Sequence, residues 1–465
     1  MRIPNDKFKE IKSKIKDYIE SHREEIINTL CDLVKIPSIS GEKNDEILDY
    51  VCDLFEKNGF KSQKYEDYAI STLVGKSENS IGLFAHADVV PPLGEWIVTE
   101  PFCPLIKDGA LFGRGSSDDK GAVVIALYIM KMIKELNLPT KSTIVAFTGA
   151  NEETSMQDVR NYLKTHTPPS ASIVIDSGFP THLGDKGMLW LVCTLNKKLN
   201  TVYDLNGGDA VNIILECASA RVKYNPDLYE SLLANGEISA QRQGDEIVIY
   251  AKGISAHGAN PEGTKNGGGI ILSALLGANG FDSEDKNSLS LICDLLTTHD
   301  ASCVGLKSED SVFGKTTLTN GMVWVKNNKL GFTLDMRYGK SLNKEKILNT
   351  IAPVFEKHQI SYEVIKDGEP NAIDKDAQIV LSTMAEYREY TGNMSAEPRI
   401  SAGGTYSRYL PNAIEVGMTL EHTNHNLPSG HGGCHQPDEN ISINGFLKAL
   451  ELVSRMVIRY DSDSV

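Results

Sequence analysis

Apolar positions recur at helical spacing through residues 8–35: Ile11, Ile15, Tyr18, Ile19, then Ile26, Ile27, Leu30, Leu33 and Val34. The spacing predicts one amphipathic helix, ended by Pro37 and the turn Ser38-Ile39-Ser40-Gly41. A second helix over residues 45–58 closes at Gly59, a residue suited to a helix C-cap. Short strands are expected at 62–65 and 69–74. The texture then changes. Residues 81–85 form an unbroken apolar run that stops at His86-Ala87-Asp88. A largely apolar helix follows over 121–135. The next buried strand, STIVAF at 142–147, empties into Thr148-Gly149-Ala150-Asn151-Glu152-Glu153. After a helix near 158–164, the run ASIVI at 171–175 ends in Asp176-Ser177-Gly178. Apolar strands alternating with helices predict an α/β catalytic domain, its sheet mostly parallel with helices on both faces.

The pattern shifts again at Gly184-Asp185-Lys186-Gly187. From there two strand–helix–strand units are expected. The first runs from MLWLVCTLN through a helix near 210–220 to EIVIYAKG. The second runs from MVWVKNNKLGFTLDMRYG through a helix near 344–357 to SYEVIK. This reads as an inserted α+β domain with weak internal duplication. A helix near 377–390 then returns the chain to the first domain. The expected organisation is therefore residues 1–184 and 377–465 as the catalytic domain and 185–376 as the insert. At 465 residues, two domains is also what core size alone suggests.

Three buried strands thus end in residues able to bind metal or carry protons: His86 with Asp88, Glu152 with Glu153, and Asp176. Sites on parallel sheets lie beyond the carboxyl ends of the strands, so the repetition marks one edge. In extended chain His86 and Asp88 share a face, which suits a ligating imidazole oriented by a carboxylate. His86, Asp118, Glu153, Asp176 and one late histidine (His422, His425, His431 or His435) make a two-metal set of imidazoles and carboxylates. Such donors suit Zn²⁺, with Mn²⁺ or Co²⁺ as alternatives. Asp118, in the Gly-rich corner after Gly113-Arg114-Gly115, is the candidate bridge. Adjacent glutamates diverge, so one of Glu152 and Glu153 can ligate while the other serves as general base. In the insert, His257 within Ser-Ala-His-Gly is a functional or a structural histidine, and Arg337 either grips a substrate carboxylate or pairs locally.

Charge and cysteine content narrow the class further. The net charge of −15 disfavours nucleic acid. The eight cysteines are scattered without a C-x-x-C pair, as expected of reduced thiols in a cytoplasmic protein. The first twenty residues carry too many charges for a signal peptide, and no apolar run reaches membrane-spanning length. Phe313-Gly314-Lys315-Thr316-Thr317 resembles the end of a phosphate loop, but Glu309 stands where its first glycine belongs. No G-x-S-x-G elbow is present.

The motifs A-H-A-D-V-V-P, G-R-G-S-S-D-D-K-G, N-E-E, G-D-K-G, S-A-H-G, D-M-R-Y, G-G-T-Y-S-R and H-Q-P-D-E occur in that order over nearly the whole chain. In this it resembles the dinuclear-metal peptidase family of dipeptidase V, carnosinase, aminoacylase and acetylornithine deacetylase, and most of all the bacterial dipeptidase V group. The resemblance implies metal ligands His86, Asp118 (bridging), Glu153, Asp176 and His435, with Glu152 as general base and Asp88 orienting His86. It implies a cis peptide at Asp118–Asp119. The insert would be a lid in which His257 stabilises the oxyanion and Asn212 and Arg337 hold the substrate, while Gly403 and Gly404 offer backbone contacts. The implied reaction is metal-dependent hydrolysis of a dipeptide with a free C-terminal carboxylate. N-acyl amino-acid deacylation is the alternative within the class, and a catalytically silent metal-binding protein the alternative outside it. The long duplicated insert resembles that of monomeric relatives, a homodimer being the other arrangement. Ala87 replaces the subgroup's usual Val, TSMQDVRNYL after N-E-E departs from its pattern, and His182, His422, His425, His431 and Cys434 match no motif.

Overall fold

The periodicity of residues 8–35 produces two helices, not one: α1 (Asn5–Ser21) and α2 (Arg23–Val34). His22 separates them at φ −107° and ψ 14°. Its Nδ1 lies 2.9 Å from the Tyr18 carbonyl oxygen, a local bond that competes with helical continuation.

The computed structural model describes residues 4–326, 329–422, 425–428 and 430–464. The chain divides into two units, Met1–Asp185 with Ala372–Val465, and Lys186–Asn371. The second junction falls five residues before the expected 376/377 boundary. The cause is pairing: the Ile373 amide donates to Leu183 O at 2.9 Å, tying the returning chain to the first unit.

The strands of the first unit are β1 (Lys61–Lys64), β2 (Tyr68–Leu73), β3 (Ser80–His86), β4 (Leu105–Lys107), β5 (Ala110–Phe112), β6 (Thr143–Gly149), β7 (Ala171–Ser177) and β8 (His182–Asp185). The main sheet runs β1-β2-β6-β3-β7, then the strand Ala413–Gly417, then β8. Its centre, from β6 through β3 and β7 to Ala413–Gly417, is parallel. Strands β1, β2 and β8 are antiparallel to their neighbours in that order. The helices are α3 (Asp45–Lys57), α4 (Lys120–Glu135), α5 (Gln157–Thr165) and two later ones, Gln378–Thr391 and Ile443–Asp463.

Both faces of the sheet are covered, which explains the continuous apolar runs. Leu83, Ala85, Ile144 and Ile173 belong to the core shared with α4, whereas Phe84, Phe147 and Val174 pack with Val159 and Tyr162 of α5 on the other side. A strand with alternate residues buried on opposite faces has no polar period left to show. At the end of β6, Gly149 permits a close approach: a Cβ there would stand 1.9 Å from the Tyr406 hydroxyl and 2.3 Å from Asp158 Oδ2.

In the second unit Gly187–Leu195 is flanked by Lys329–Tyr338 and Ile360–Gly368, both antiparallel to it. A separate antiparallel sheet runs Val202–Asn206, Cys217–Lys223, Glu246–Lys252, Ile238–Gln243. The helix expected near 210–220 is not formed. Over Cys217–Lys223 the buried residues are Ala218, Ala220 and Val222, a period of two that makes a strand. A helix lies instead at Pro226–Leu233, capped by Asn225, whose side chain accepts from the Leu228 amide. Helices Gly267–Gly277 and Ser283–Thr297 were not signalled by the sequence reading; their caps Asn266 and Asp282 open stretches whose glycines and charges obscure a helical period. No described helix is long and apolar enough to cross a membrane.

Candidate metal and catalytic site

The parallel register brings the strand ends to one edge. His86 of β3 pairs with Gly149 of β6, from which the chain reaches Glu152 and Glu153 within one turn. Asp176 lies near the end of β7 on the other side of β3. Asp118 and His435 arrive together by a different route. Strand Asn440–Ser442 pairs with β5 through Asn440 and Phe112, so the corner after β5 and the loop before Asn440 lie side by side. The Asp118–Asp119 peptide is cis, and His435 has φ 64°.

Two groups of donor atoms result, each within 4.8 Å of one another: His86, Asp118 and Asp176, and Asp118, Glu153 and His435. Asp118 belongs to both. Its Oδ1 is 3.0 Å from His86 Nε2 and its Oδ2 is 3.0 Å from His435 Nε2. His86 Nε2 is 3.9 Å from Asp176 Oδ2, and His435 Nε2 is 3.1 Å from Glu153 Oε1. One carboxylate thus turns one oxygen to each half of the cluster, as a carboxylate bridging two cations must.

Asp88 does more than the sequence indicates. His86 Nδ1 lies 2.9 Å from the Asp88 carbonyl oxygen and 3.5 Å from its carboxylate. The carboxylate accepts the Glu152 amide at 3.1 Å and the Glu153 amide at 3.3 Å. It therefore ties the His86 strand to the glutamate turn. The two glutamates separate cleanly: Glu153 faces His435, whereas Glu152 is buried and its Oε1 has no hydrogen-bond partner among the described residues.

The protonation pattern follows from burying like charges. Burial, then the neighbouring carboxylates, raises Glu152, Glu153 and Asp176, the first and last well above ordinary values. Burial works against charge on His86, but Asp118, Asp88 and Asp176 together push its pKa well up. Asp118 is driven down despite burial by hydrogen bonds from His435 and His86. The half-exposed His435 is raised to about 10 by Asp118 and Glu153. The donor set of two imidazoles and three carboxylates, with the orphaned Glu152 Oε1 beside it, fits a pair of divalent cations.

In the second unit Asn212 Nδ2 is 3.4 Å from His257 Nε2, and Asn212 O accepts the Gly258 amide at 2.7 Å. His257 Nδ1 accepts from the Ala259 amide at 3.2 Å. Arg337 is buried and pairs bidentately with Asp335, Nε to Oδ1 at 2.8 Å and Nη2 to Oδ2 at 3.0 Å. Back in the first unit, the Gly403 amide donates to Ser401 Oγ at 3.1 Å, and Gly404 packs on Arg408. No described contact joins Gly403 or Gly404 to the carboxylates. The unmatched histidines scatter: His182 Nδ1 is 2.6 Å from Ser177 Oγ, His431 Nδ1 is 2.5 Å from Asp438 Oδ2, His425 sets its edge to Phe112, and His422 is exposed.

Arg114 and Glu439 were quoted within motifs but given no role. Glu439 Oε2 accepts from Arg114 Nη1 at 2.6 Å, while its Oε1 accepts from the Gly115 and Ser117 amides and the Ser117 hydroxyl. Both side chains are buried, 1% and 0% exposed. This pair clamps the Asp118 corner to the His435 loop across 325 residues, a separation at which sequence offers no pairing signal.

The sequence model of peptidase family M20/M25/M40 matches residues 82–459. "Putative dipeptidase SAR1836" of Staphylococcus aureus (strain MRSA252) is 26% identical over 430 residues, covering 86% of this chain and 91% of that protein. Among solved structures, human carnosine dipeptidase 1 superposes with a TM-score of 0.59 at 13% identity, over 97% of this chain and 99% of that one. The Bacillus subtilis YXEP protein, described as a dinuclear metal binding peptidase, gives a TM-score of 0.54 at 10% identity, over 94% and 98%. At those identities the two superpositions establish a shared fold.

Proposed function

The chain belongs to peptidase family M20/M25/M40 and is a metallopeptidase; on that premise we propose that it hydrolyses the amide bond of dipeptides bearing a free C-terminal carboxylate. The observation that carries the reading is the division of labour at Glu152-Glu153: one carboxylate faces His435, and the other is buried with no hydrogen-bond partner at Oε1 among the described residues. The dipeptidase names of similar proteins support the substrate class.

In this reading His86, Asp118 and Asp176 would hold one divalent ion and Asp118, Glu153 and His435 would hold a second, most simply Zn²⁺, with Mn²⁺ or Co²⁺ as alternatives. When bound, such ions supply Lewis acidity, polarising an amide carbonyl and lowering the pKa of water from 15.7 towards about 7. Glu152 Oε1 takes the proton of the attacking water and returns it to the leaving nitrogen as the C–N bond breaks, so the carboxylate ends as it began. Asp88 holds the amides of Glu152 and Glu153 and thereby sets the reach of that oxygen. His257 is assigned to the carbonyl oxygen as it gains charge. Asn212 is assigned to the substrate backbone. Arg337 is assigned to the substrate carboxylate, with Asp335 fixing the plane of its guanidinium.

The test is turnover of a dipeptide panel and an N-acyl amino-acid panel by protein supplied with Zn²⁺, Mn²⁺ or Co²⁺, against a chelated control. Dipeptides should be cleaved and the chelated control should be silent. Cleavage of the N-acyl panel alone would make the chain a deacylase, and silence on both panels with metal bound would end the enzymatic reading.

A further inference from the structure

Next to the carboxylate cluster the first unit encloses a cavity of about 460 Å³. It reaches Asp118 and Asp176 at one side and is walled by Met418, His422, Cys434 and Ile441. All of these residues lie within the first unit. Ligand-binding cavities fall in the range of roughly 300–1,000 Å³, so there is room here for a large side chain.

The chemistry of the walls is selective. Met418 and Ile441 are buried apolar groups, 6% and 2% exposed. The four hydroxyls that line the cavity among the described residues are already engaged: Ser117 Oγ donates to Glu439 Oε1 at 3.1 Å, Ser177 Oγ lies 2.6 Å from His182 Nδ1, Thr419 Oγ1 donates to Glu421 O at 2.6 Å, and Ser442 Oγ accepts the Gly445 amide at 3.1 Å. Among the described residues no lysine or arginine lines it, and its two carboxylates are those of Asp118 and Asp176, assigned above to cations. A charged side chain would lose its water there and find no counter-charge of its own. An apolar or neutral one would lose little and gain contact.

We infer that this cavity is the specificity pocket for the N-terminal residue of the substrate, and that it selects uncharged side chains of about leucine to phenylalanine size. The inference rests on the proposed dipeptidase reaction. It follows from placement: the cavity begins at Asp118 and Asp176, two of the carboxylates assigned to the cations, and the C-terminal residue is already assigned to Arg337. The acyl residue is the part of the substrate that remains to be housed.

Two variants narrow the cavity from separate walls. His422 is exposed, so His422→Trp adds bulk without disturbing a core. Gly433, also a lining residue, is outside the positive-φ region, and a Cβ there would meet only the flexible end of Gln436 at 3.0 Å, so Gly433→Leu is accommodated. The measurement is the ratio of kcat/KM for Leu-Ala over Gly-Ala, with Lys-Ala and Glu-Ala alongside. In the wild type the ratio should be on the order of 10- to 100-fold, the discrimination available from a few buried methylenes, with Lys-Ala and Glu-Ala no better than Gly-Ala. Each variant should lower the Leu-Ala ratio about tenfold. A wild-type ratio near one, or an unchanged ratio in both variants, overturns the pocket while leaving the dipeptidase reading intact. A second readout needs no turnover. Cys434 is exposed and lines the cavity, so L-methionine should slow its alkylation by iodoacetamide, followed by peptide mass, where glycine does not. If no dipeptide is cleaved but methionine protects Cys434, the reaction is wrong and the pocket stands. Equal alkylation with methionine and with glycine overturns the pocket.

Discussion

Removing the Glu439 carboxylate should cost the first unit more than any surface charge could. Arg114 is 1% exposed, its Nη1 donates to Glu439 at 2.6 Å, and its Nε and Nη2 have no hydrogen-bond partner among the described residues. Glu439→Ala therefore leaves a buried guanidinium without its carboxylate and frees the amides of Gly115 and Ser117. Breaking one side of a buried pair typically costs about 3–5 kcal/mol, because the surviving charge stays desolvated. At roughly 2–4 °C per kcal/mol for a unit of this size, the melting temperature should fall by about 6–20 °C. Glu439→Gln, which keeps the oxygen acceptor, should fall between wild type and Glu439→Ala. The double variant Arg114→Met/Glu439→Leu should recover much of the loss, since an apolar pair of similar volume is often neutral. Scanning calorimetry of the four proteins, with metal content on each, is the assay. The Asp118 corner and the His435 loop meet at this pair, so metal content should fall in step with stability. A shift below about 2 °C for Glu439→Ala, or single-variant losses that simply add in the double, refutes the clamp.

Three further outcomes are expected. Burial raises Asp158 to about 6, so between about pH 4 and pH 6 the folded protein holds a proton the unfolded chain has lost, and its stability falls as pH rises through that window. Asp158→Asn lacks this fall: by urea unfolding, wild type minus variant should drop by about 2 kcal/mol from pH 4 to pH 7, and a constant difference contradicts it. Cations that bind only the folded cluster should stabilise by about 2.7 kcal/mol at one hundred times Kd, so chelation should lower the melting temperature and Zn²⁺ restore it; no response to either refutes the cation site. Amidating the C-terminus of a cleaved dipeptide should raise KM sharply, and equal cleavage of both forms removes Arg337 from substrate recognition.

What the sequence disclosed, and what it withheld, follows from the range of each signal. The strand ends at His86, Glu152-Glu153 and Asp176 were legible because a parallel sheet covered on both faces leaves unbroken apolar runs that stop abruptly. Asp118 was marked by its Gly-rich corner and His435 came from a motif, and the structure shows why they meet: β5 and the strand Asn440–Ser442 are paired. The break at His22 was missed because a single local side-chain bond interrupts a period that continues on either side. The strand Cys217–Lys223 was misread as part of a helix because a short apolar run before it carries no period of its own. Arg114 with Glu439, and Asp335 with Arg337, show the two limits of charge reading. The first partners are too far apart in sequence to be paired by inspection. The second stand two residues apart on one strand face, and a local ion pair was the alternative already open for Arg337.

The central claim is that Glu153 ligates while Glu152 carries the proton, and their amide variants test it side by side. Both are to be loaded with the metal that supports turnover, then measured for metal stoichiometry and kcat. Glu152→Gln preserves shape and the donor set, so it should retain two ions per chain and lose about 10²–10⁴ in kcat, the usual contribution of a general base. Glu153→Gln should bind one of the two ions more weakly and regain part of its activity when metal is added in excess. If Glu152→Gln loses an ion while Glu153→Gln keeps both, the two roles are exchanged and the account is wrong at its centre.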